Sequence, residues 1–326
     1  MKHTSDSVRA THSSYDVSPR SATPSKQSRI PYWGYGCMLL LAAAIWGMGT
    51  IVIKDSVDAL APAWLVGIRF LVAGGVLCAV MARRMKANFD AKHVRVSIIL
   101  GVLTGATYLC NTSGLLDTTA SKSVFLTATY CVMVPFVAWA MQRIQPSSTS
   151  LLAAVLCIVG VGLIALQPTE GARFGWGDAI TLVSALFCAL HLVATAKYAP
   201  GCDIMVITGL QFLVAGVMGV IGAVVFGVPL DPQAFDARMI GGLAYLAIPA
   251  SIITLGLQNI AVANIPASSA SLFLATESIF GTVFGVALLG EVLTASMVAG
   301  FVLVFAAIVV SECVPAWLDD RVQATQ

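Results

Sequence analysis

The stretch that decides the fold is residues 267–291, ASSASLFLATESIFGTVFGVALLGE, an apolar run with a lone acid near its middle. At about 1.5 Å per residue, roughly 20 apolar residues cross the hydrocarbon core of a bilayer. Glu277 would therefore lie deep in the membrane, where an ionised side chain costs about 2.5–3.5 kcal/mol. We expect Glu277 to face protein, water or a ligand rather than lipid.

Two glycines follow Glu277 on the same face of the predicted helix. Gly281 and Gly285 come four and eight residues later, so they lie about one and two turns away from the acid. Small residues at this spacing let a second helix approach closely. Two interpretations stay open: Glu277 is a substrate or proton site, or it is a protonated acid that hydrogen-bonds a neighbouring helix.

The composition is that of an integral membrane protein, with 58% hydrophobic and only 10% charged residues and a mean hydropathy of +0.89. The eight cysteines are scattered and never spaced as CxxC. They indicate packing residues, so we expect no disulfide framework, metal site or cofactor. The chain holds no basic run with interleaved aromatic residues, so we expect no nucleic-acid partner.

Ten apolar runs, separated by short polar or proline-containing breaks, follow one another from Tyr32 onward. They predict an all-α integral membrane protein with ten transmembrane helices. Residues 1–31 are rich in Ser and basic residues and poor in large apolar ones, which predicts a disordered tail; residues 315–326 form a short C-terminal tail. The ten runs are residues 33–53, 63–82, 95–115, 119–140, 148–167, 176–197, 204–226, 239–258, 266–290 and 294–313.

The basic residues predict the orientation of these helices. An even number of crossings places both termini on one side of the membrane. The two tails and the loops after the second, fourth, sixth and eighth runs, counted together with Arg95 and Lys197 at the adjoining run ends, hold 13 of the 18 Lys and Arg residues. Because cytoplasmic loops are enriched in these residues, we expect a multi-pass protein of the plasma membrane with both tails in the cytoplasm.

The chain also repeats itself. Residues 69–74, RFLVAG, match residues 211–216, QFLVAG, at an offset of 142, and residues 120–126 match residues 268–274 more weakly at an offset of 148. Each copy would hold an odd number of crossings, so the second copy is upside down in the membrane. We therefore expect two inverted five-helix repeats, residues 32–168 and 174–314, around a central cavity.

Several motifs, in their order and spacing, resemble the EamA branch of the drug/metabolite transporter superfamily, and the resemblance extends from Trp33 to Val314. Ser278 stands where the family often has a proline after the mid-span acid, and Gln142-Arg143 replace the Gly-Glu pair that closes the ninth run. The motifs are Trp46-Gly47 followed by Lys54, Arg69-Phe70, Val134-Pro135, Gly177-Asp178, residues 267–274 with Glu277, and Gly290-Glu291.

The resemblance implies a secondary carrier of a small organic metabolite, often an exporter of amino acids or related compounds. The chain has no GxxxxGK[ST] loop for ATP, and it lacks the HExxH and GxSxG motifs of two enzyme classes. We therefore expect a carrier that is not an enzyme. An intramembrane enzyme that uses the single mid-span acid and histidine as an acid/base pair is the alternative. The expected partners are the lipid bilayer and a small-molecule substrate, and a homodimer is compatible with the sequence.

His191 belongs to a polar stripe along the sixth run. An imidazole that titrates near neutral pH is suited to relay protons with Glu277, which makes His191 a coupling candidate. The alternative is a neutral histidine that hydrogen-bonds a neighbouring helix. The stripe consists of Thr181, Ser184, Cys188, His191 and Thr195.

Four further polar residues are candidates for the cavity wall. Tyr108 and Asn111 share one face of the third run, and Gln258 lies on a polar face of the eighth. Tyr130 follows Thr129, the residue that aligns with Glu277 at the offset of 148. Tyr108 and Asn111 would orient a polar group of the substrate or, alternatively, hydrogen-bond a neighbouring helix.

Trp46 and Arg69 complete the candidates for substrate binding or coupling. Trp46 lies deeper than an interfacial tryptophan, so it forms either a cavity wall or part of the packed core. Arg69 lies about six residues inside its run and needs an acid, a carbonyl or a substrate carboxylate as a partner. We expect structural pairing of Arg69, for which Asp55, Asp58 and Asp117 are candidate partners.

Two charged residues are expected at the ends of runs. Lys54 would extend its ammonium group to the interface. Glu291 would cap or be solvated rather than bind a ligand.

Overall fold

The structure, a computed structural model, describes residues 31–143, 145–165, 174–262 and 273–324. The predicted N-terminal tail lies outside these residues apart from Pro31. The described residues are helical throughout apart from turns and short connections, without a strand. This agrees with the predicted all-α class.

The helices begin and end close to the predicted runs. Pro62 opens the second helix, where the missing N–H of a proline has no intrahelical partner to lose. The helices of the described residues are α1 (Tyr32–Ser56), α2 (Pro62–Val80), α3 (Ala82–Asn88), α4 (Ala91–Gly114), α5 (Ala120–Ala128), α6 (Tyr130–Gln142), α7 (Ser148–Ala165), α8 (Trp176–Tyr198), α9 (Ile204–Val225), α10 (Ala237–Ala247), α11 (Thr254–Val262), α12 (Glu277–Leu289) and α13 (Ala295–Ala324).

Seven helical segments of the described residues are long and apolar enough to cross a membrane. Three shorter apolar helices, Ser148–Leu163, Phe273–Leu289 and Ala295–Val310, fall in the fifth, ninth and tenth predicted runs. The structure thus has multiple membrane-spanning helices, and the number ten stays a prediction. Two of the seven segments join two α-helices each: α5 with α6, and α10 with α11.

Helices α2 and α9, which carry the repeated RFLVAG and QFLVAG sequences, pack against each other in opposite directions. A Cβ on Gly74 would lie 2.8 Å from the Leu213 nitrogen, and a Cβ on Gly216 would lie 2.6 Å from the Leu71 nitrogen. Gly216 and Leu213 are the repeat equivalents of Gly74 and Leu71. Each contact therefore has a counterpart with the roles exchanged, as at a twofold interface.

Two helical segments break at a threonine and end in a left-handed residue. Thr129 separates α5 from α6 with φ −60° and ψ −14°, and Thr276 precedes α12 with φ −65° and ψ −11°. The hydroxyl of each donates to the carbonyl oxygen three residues earlier, at 2.6 and 2.5 Å. The segments end at Arg143, with φ 63°, and Gly290, with φ 67°. Both landmarks give an offset of 147, so Tyr130 rather than Thr129 corresponds to Glu277.

Between α10 and α11 the chain forms a π-helical turn, Ile248–Ile253. Pro249 has no N–H, which removes one helical hydrogen bond and favours this wider turn. The Ser251 hydroxyl donates to the carbonyl oxygen of Leu246 at 2.8 Å. The turn leaves the carbonyl oxygen of Ala250 available to side chains of other helices.

The predicted close approach at the glycines of α12 is present. A Cβ on Gly47 of α1 would lie 2.7 Å from the Gly281 nitrogen, and a Cβ on Gly281 would lie 2.6 Å from Val124 of α5. Because no larger residue fits at either position without a shift, α1, α5 and α12 meet closely beside the first turn of α12, which contains Glu277.

Candidate transport site

Glu277 is the first residue of α12 and lies partly buried within the bundle. Its carboxyl group has neither a hydrogen bond nor an ion pair with any described residue. The N-terminus of α12 carries a partial positive charge, which favours an anion at this position. Glu277 is therefore a carboxyl group without a hydrogen-bond partner among the described residues, held at the break of a discontinuous segment.

Three helices bring polar side chains into electrostatic range of Glu277. These side chains are Tyr108 of α4, Tyr130 of α6 and Cys188 of α8. Two of these residues, Tyr108 and Tyr130, were predicted to line the cavity, and the structure places both within electrostatic range of the acid. Cys188 is the member of the α8 polar stripe that lies near Glu277.

Arg69 is buried, with a relative exposure of 3%, and its guanidinium lies 4.7 Å from the centre of the Tyr108 ring. Arg69 Nη2 donates to the Ser251 hydroxyl at 3.2 Å and to the Ala250 carbonyl oxygen at 3.4 Å. Its structural partners are thus a carbonyl and a hydroxyl of the π turn, together with a ring face.

The acids considered as partners of Arg69 do not fill that role in the structure. Asp55 instead accepts from Arg238 Nη2 at 2.6 Å. Asp58 and Asp117 form no ion pair with a described residue. The reason is geometric: the turn at Pro249 presents a backbone oxygen inside the bundle, whereas Asp55 and Asp58 lie exposed near the end of α1.

Trp46 is anchored to the same π turn. Its Nε1 donates to the Ala250 carbonyl oxygen at 2.9 Å, so this one oxygen accepts from both Trp46 and Arg69. In the opposite direction, the Tyr245 hydroxyl of α10 donates to the carbonyl oxygen of Ile45 on α1 at 2.8 Å. The Trp46 ring also packs against the buried cluster around Leu65, which is the core-packing interpretation of this residue.

Asn111 joins α4 to α5. Its Nδ2 donates to Thr127 Oγ1 at 2.9 Å and to Ser123 Oγ at 3.4 Å. This pattern is the interhelical bonding considered as the alternative to a role in the cavity. Gln258, on α11, is partly buried and forms no hydrogen bond to a described residue.

His191 contacts a different helix from the one that carries Glu277. Its Nε2 lies 3.3 Å from the side-chain oxygen of Gln211 on α9. Gln211 is the repeat equivalent of Arg69. The structure therefore pairs His191 with an amide, as in the interhelical alternative, and the predicted relay between His191 and Glu277 has no direct contact.

One buried ion pair was missed by the candidate list. Lys122 Nζ of α5 lies 3.4 Å from Asp178 Oδ2 of α8, and the two side chains are only 3% and 2% exposed. Asp178 also accepts from the Thr118 hydroxyl and from the Gly175 nitrogen at 3.0 Å. The Gly177-Asp178 motif was the available signal, but nothing in the local sequence identified Lys122 as its partner.

Glu291 caps a helix other than its own. Its carboxylate accepts from the backbone nitrogens of Ala120 and Ser121, at 2.5 and 2.9 Å. These are the first residues of α5, whose N-terminal N–H groups have no intrahelical acceptor. The predicted capping role is thus present, and it joins the end of α12 to the start of α5.

With this geometry in place, the comparison with known proteins identifies the family. The sequence profile of the EamA-like transporter family matches residues 33–166 and again residues 175–312. The chain belongs to the EamA-like transporter family. It is therefore a multi-pass membrane protein of a transporter family rather than of an enzyme family, as the motifs predicted.

Individual EamA relatives cover most of the chain. An uncharacterized transporter of Archaeoglobus fulgidus is 26% identical over 274 residues, which is 84% of each chain. The uncharacterized inner membrane transporter YedA of Escherichia coli K12 is 24% identical and covers 82% of this chain and 87% of its own. A crystal structure with 14% identity covers 87% of this chain with a TM-score of 0.59, which indicates a shared fold.

The departure from the EamA pattern after Glu277 has a structural counterpart. Ser278, which stands in place of the frequent proline, is buried, and its hydroxyl donates to the carbonyl oxygen of Val124 at 3.4 Å. A proline could not form this hydrogen bond. Ser278 thus ties the first turn of α12 to α5, where these two helices approach at Gly281.

Proposed function

We propose that this EamA protein is a secondary active carrier that exports a small organic metabolite, such as an amino acid or a related compound, by alternating access. The observation that carries the proposal is the Glu277 carboxyl group, which starts a helix inside the bundle and has no hydrogen bond or ion pair with a described residue. An acid held in a fixed ion pair could not exchange its partner during a cycle.

Proton coupling through Glu277 is part of this proposal. Partial burial disfavours the charged carboxylate, whereas the helix N-terminus favours it. Hydration of the site changes the first of these effects, because water stabilises the charged carboxylate. A change in hydration between inward-open and outward-open states would therefore alter the proton affinity of the acid. Tyr108 and Tyr130 would supply hydroxyl groups to the site. Arg69 lies over the Tyr108 ring and, with Trp46, donates to the Ala250 carbonyl oxygen of the π turn.

The carrier mechanism rests on a proposed architecture of ten helices in two inverted repeats, residues 32–168 and 174–314. The reciprocal contacts of α2 with α9 and the common offset of the Thr129 and Thr276 breaks support it. The two separate family matches also support it. We further propose a plasma-membrane location with both termini in the cytoplasm, from the distribution of Lys and Arg residues.

The test uses purified protein in proteoliposomes with a pH gradient and a panel of labelled amino acids and related metabolites. Glu277→Gln should reduce gradient-driven flux at least about tenfold, equivalent to about 1.4 kcal/mol, while exchange without a gradient persists. Asp58→Asn makes the same chemical change at an exposed acid and should leave both fluxes unchanged. Undiminished gradient-driven flux in folded Glu277→Gln would overturn the coupling role.

The same vesicles distinguish a carrier from an intramembrane enzyme. A carrier returns the labelled solute chemically unchanged and shows saturable counterflow. Recovery of a modified product, lost together with the acid, would instead favour catalysis. Comparing inside-out with right-side-out vesicles then measures the direction of net flux, for which we expect export.

A further inference from the structure

The argument starts at one end of the bundle, where α4 ends, α5 and α8 begin and α12 ends; we call it the α5 end. The charged contact buried there is the pair of Lys122 with Asp178. Lys122 belongs to the first proposed repeat and Asp178 to the second, so the pair joins the two halves that alternating access would move apart.

The local sequence brings the pair together. The backbones of Gly114 and Gly177 touch where α4 ends and α8 begins, which places the first turn of α8 against the start of α5. Asp178 then accepts from Thr118, from the Gly175 backbone and from Lys122. The carboxylate is thus fully engaged in the state described by the structure.

A second contact at the α5 end also joins the halves. Glu291, from the second repeat, accepts from the backbone of Ala120 and Ser121 in the first. Gly285 makes room for it, since a Cβ there would lie 2.7 Å from Glu291 Oε2. The two contacts hold opposite sides of the start of α5, one against α8 and the other against α12.

These contacts have the energetics of a reversible seal. Removing one member of a buried ion pair leaves an uncompensated charge, whereas replacing both with apolar residues is often neutral or stabilising. Static stability therefore does not require charges at this position. Charged groups differ from apolar ones in that water can solvate them again when the halves separate, which lowers the cost of opening.

We propose that two contacts form the gate of the α5 end: the Lys122–Asp178 ion pair, and the hydrogen bonds of Glu291 with the start of α5. Both contacts are formed in this structure, and both break when the α5 end opens. The inference rests on the proposed carrier function. It assigns gating residues that lie apart from Glu277, at the point where α5 is held between α8 and α12.

The test measures access to Cys188, the thiol beside the transport site, in full-length protein whose other cysteines are changed to alanine. A membrane-impermeant thiol reagent is applied to the α5 end, without substrate or gradient. Lys122→Met removes the cation that pairs with the buried Asp178 carboxylate, and it should raise the labelling rate at least about tenfold. Lys122→Met with Asp178→Asn removes both charges and should label as slowly as the parent.

Arg238→Met is the matched control. Arg238 and Asp55 also form an ion pair between the halves, but their side chains are 77% and 33% exposed, and such pairs contribute little. Labelling should therefore stay at the parent rate. Glu291→Ala is the second opening variant, and size-exclusion chromatography checks that each protein is folded.

Unchanged labelling in folded Lys122→Met and folded Glu291→Ala would overturn the gate. An equal increase in the Cys188 labelling rate of Arg238→Met would also overturn the gate, because loss of an exposed ion pair would then open the protein as readily as loss of the buried one. The labelling needs no proton gradient, so loss of coupling in Glu277→Gln and failure of the gate are separate outcomes. Counterflow by the parent protein, in which Cys188 is the one cysteine kept, would show that the cysteine-to-alanine changes preserve transport.

Discussion

The two segments that break at a threonine share one backbone design and differ in chemistry. The α5–α6 segment and the α12 segment break at Thr129 and Thr276 and end in left-handed residues at the same spacing. Yet the residue after the break is Tyr130 in one and Glu277 in the other. The backbone follows the repeat, while the charge is present on only one side.

The same asymmetry extends along both helices. Glycines at positions 281 and 290 of the α12 segment correspond to Val134 and Arg143 in α6 and at its end, at the offset of 147. Gly281 admits α1 and α5 to the helix that carries the acid. Close packing at Gly281 thus lies on the copy that carries the acid, and it fixes the position of Glu277 relative to α1 and α5.

The largest stability effect is expected at Gly281. Gly281→Ala places a methyl group 2.6 Å from Val124, and overpacking of this kind costs about 1–3 kcal/mol. Gly222→Ala on α9 is the control, because its Cβ would meet nothing within 4 Å and alanine favours a helix. Thermal unfolding in detergent should show a loss for the first variant and none for the second; equal midpoints would contradict the packing argument.

Substitutions at the two left-handed residues, Gly290 and Arg143, should change the free energy of unfolding in opposite directions. Gly290→Ala introduces a side chain at φ 67° and should cost about 1 kcal/mol, whereas Arg143→Gly at φ 63° relieves the same strain and should stabilise by up to about 1 kcal/mol. Denaturation midpoints of the two variants test this directly. A shift in the same direction for both would show that local φ does not control these ends.

The smallest effect is expected at the two breaks. Thr129→Val and Thr276→Val each remove a hydroxyl bond to a carbonyl oxygen, which contributes about 0.5–1.5 kcal/mol. The loss should lie near the lower limit, since each carbonyl also accepts the backbone N–H of the threonine. Similar losses in the free energy of unfolding would support structural equivalence of the two breaks. A large loss in only one variant would show that the two breaks are not equivalent.

The sequence predicted the position of the helices well and the register of the repeat less well. Matching Phe125 to Phe273 gave an offset of 148, but the threonine breaks and left-handed ends give 147. Side-chain similarity aligned the apolar residues, whereas the breaks depend on hydrogen bonds and φ angles that similarity does not report. The one-residue difference changes the counterpart of Glu277 from Thr129 to Tyr130.

The candidate residues divide in the same way. Glu277 and Tyr108 were identified from depth and helical spacing and Tyr130 from the repeat, and the structure places both tyrosines within electrostatic range of the acid. His191 was also identified, but it contacts Gln211. Lys122 was not among the candidates, because its burial depends on Asp178, which lies 56 residues later in the chain.

The sequence by itself determined that the chain is a helical membrane protein and that an acid lies deep within it, because hydropathy and helical periodicity are properties of short contiguous stretches. Only the tertiary structure decided which groups surround that acid and which contacts hold the halves together. The Ala250 carbonyl oxygen shows why: it binds Trp46 and Arg69, which lie 204 and 181 residues away. The sequences around Trp46 and Arg69 therefore contain no pattern that predicts this shared acceptor, which becomes available only where the π turn forms.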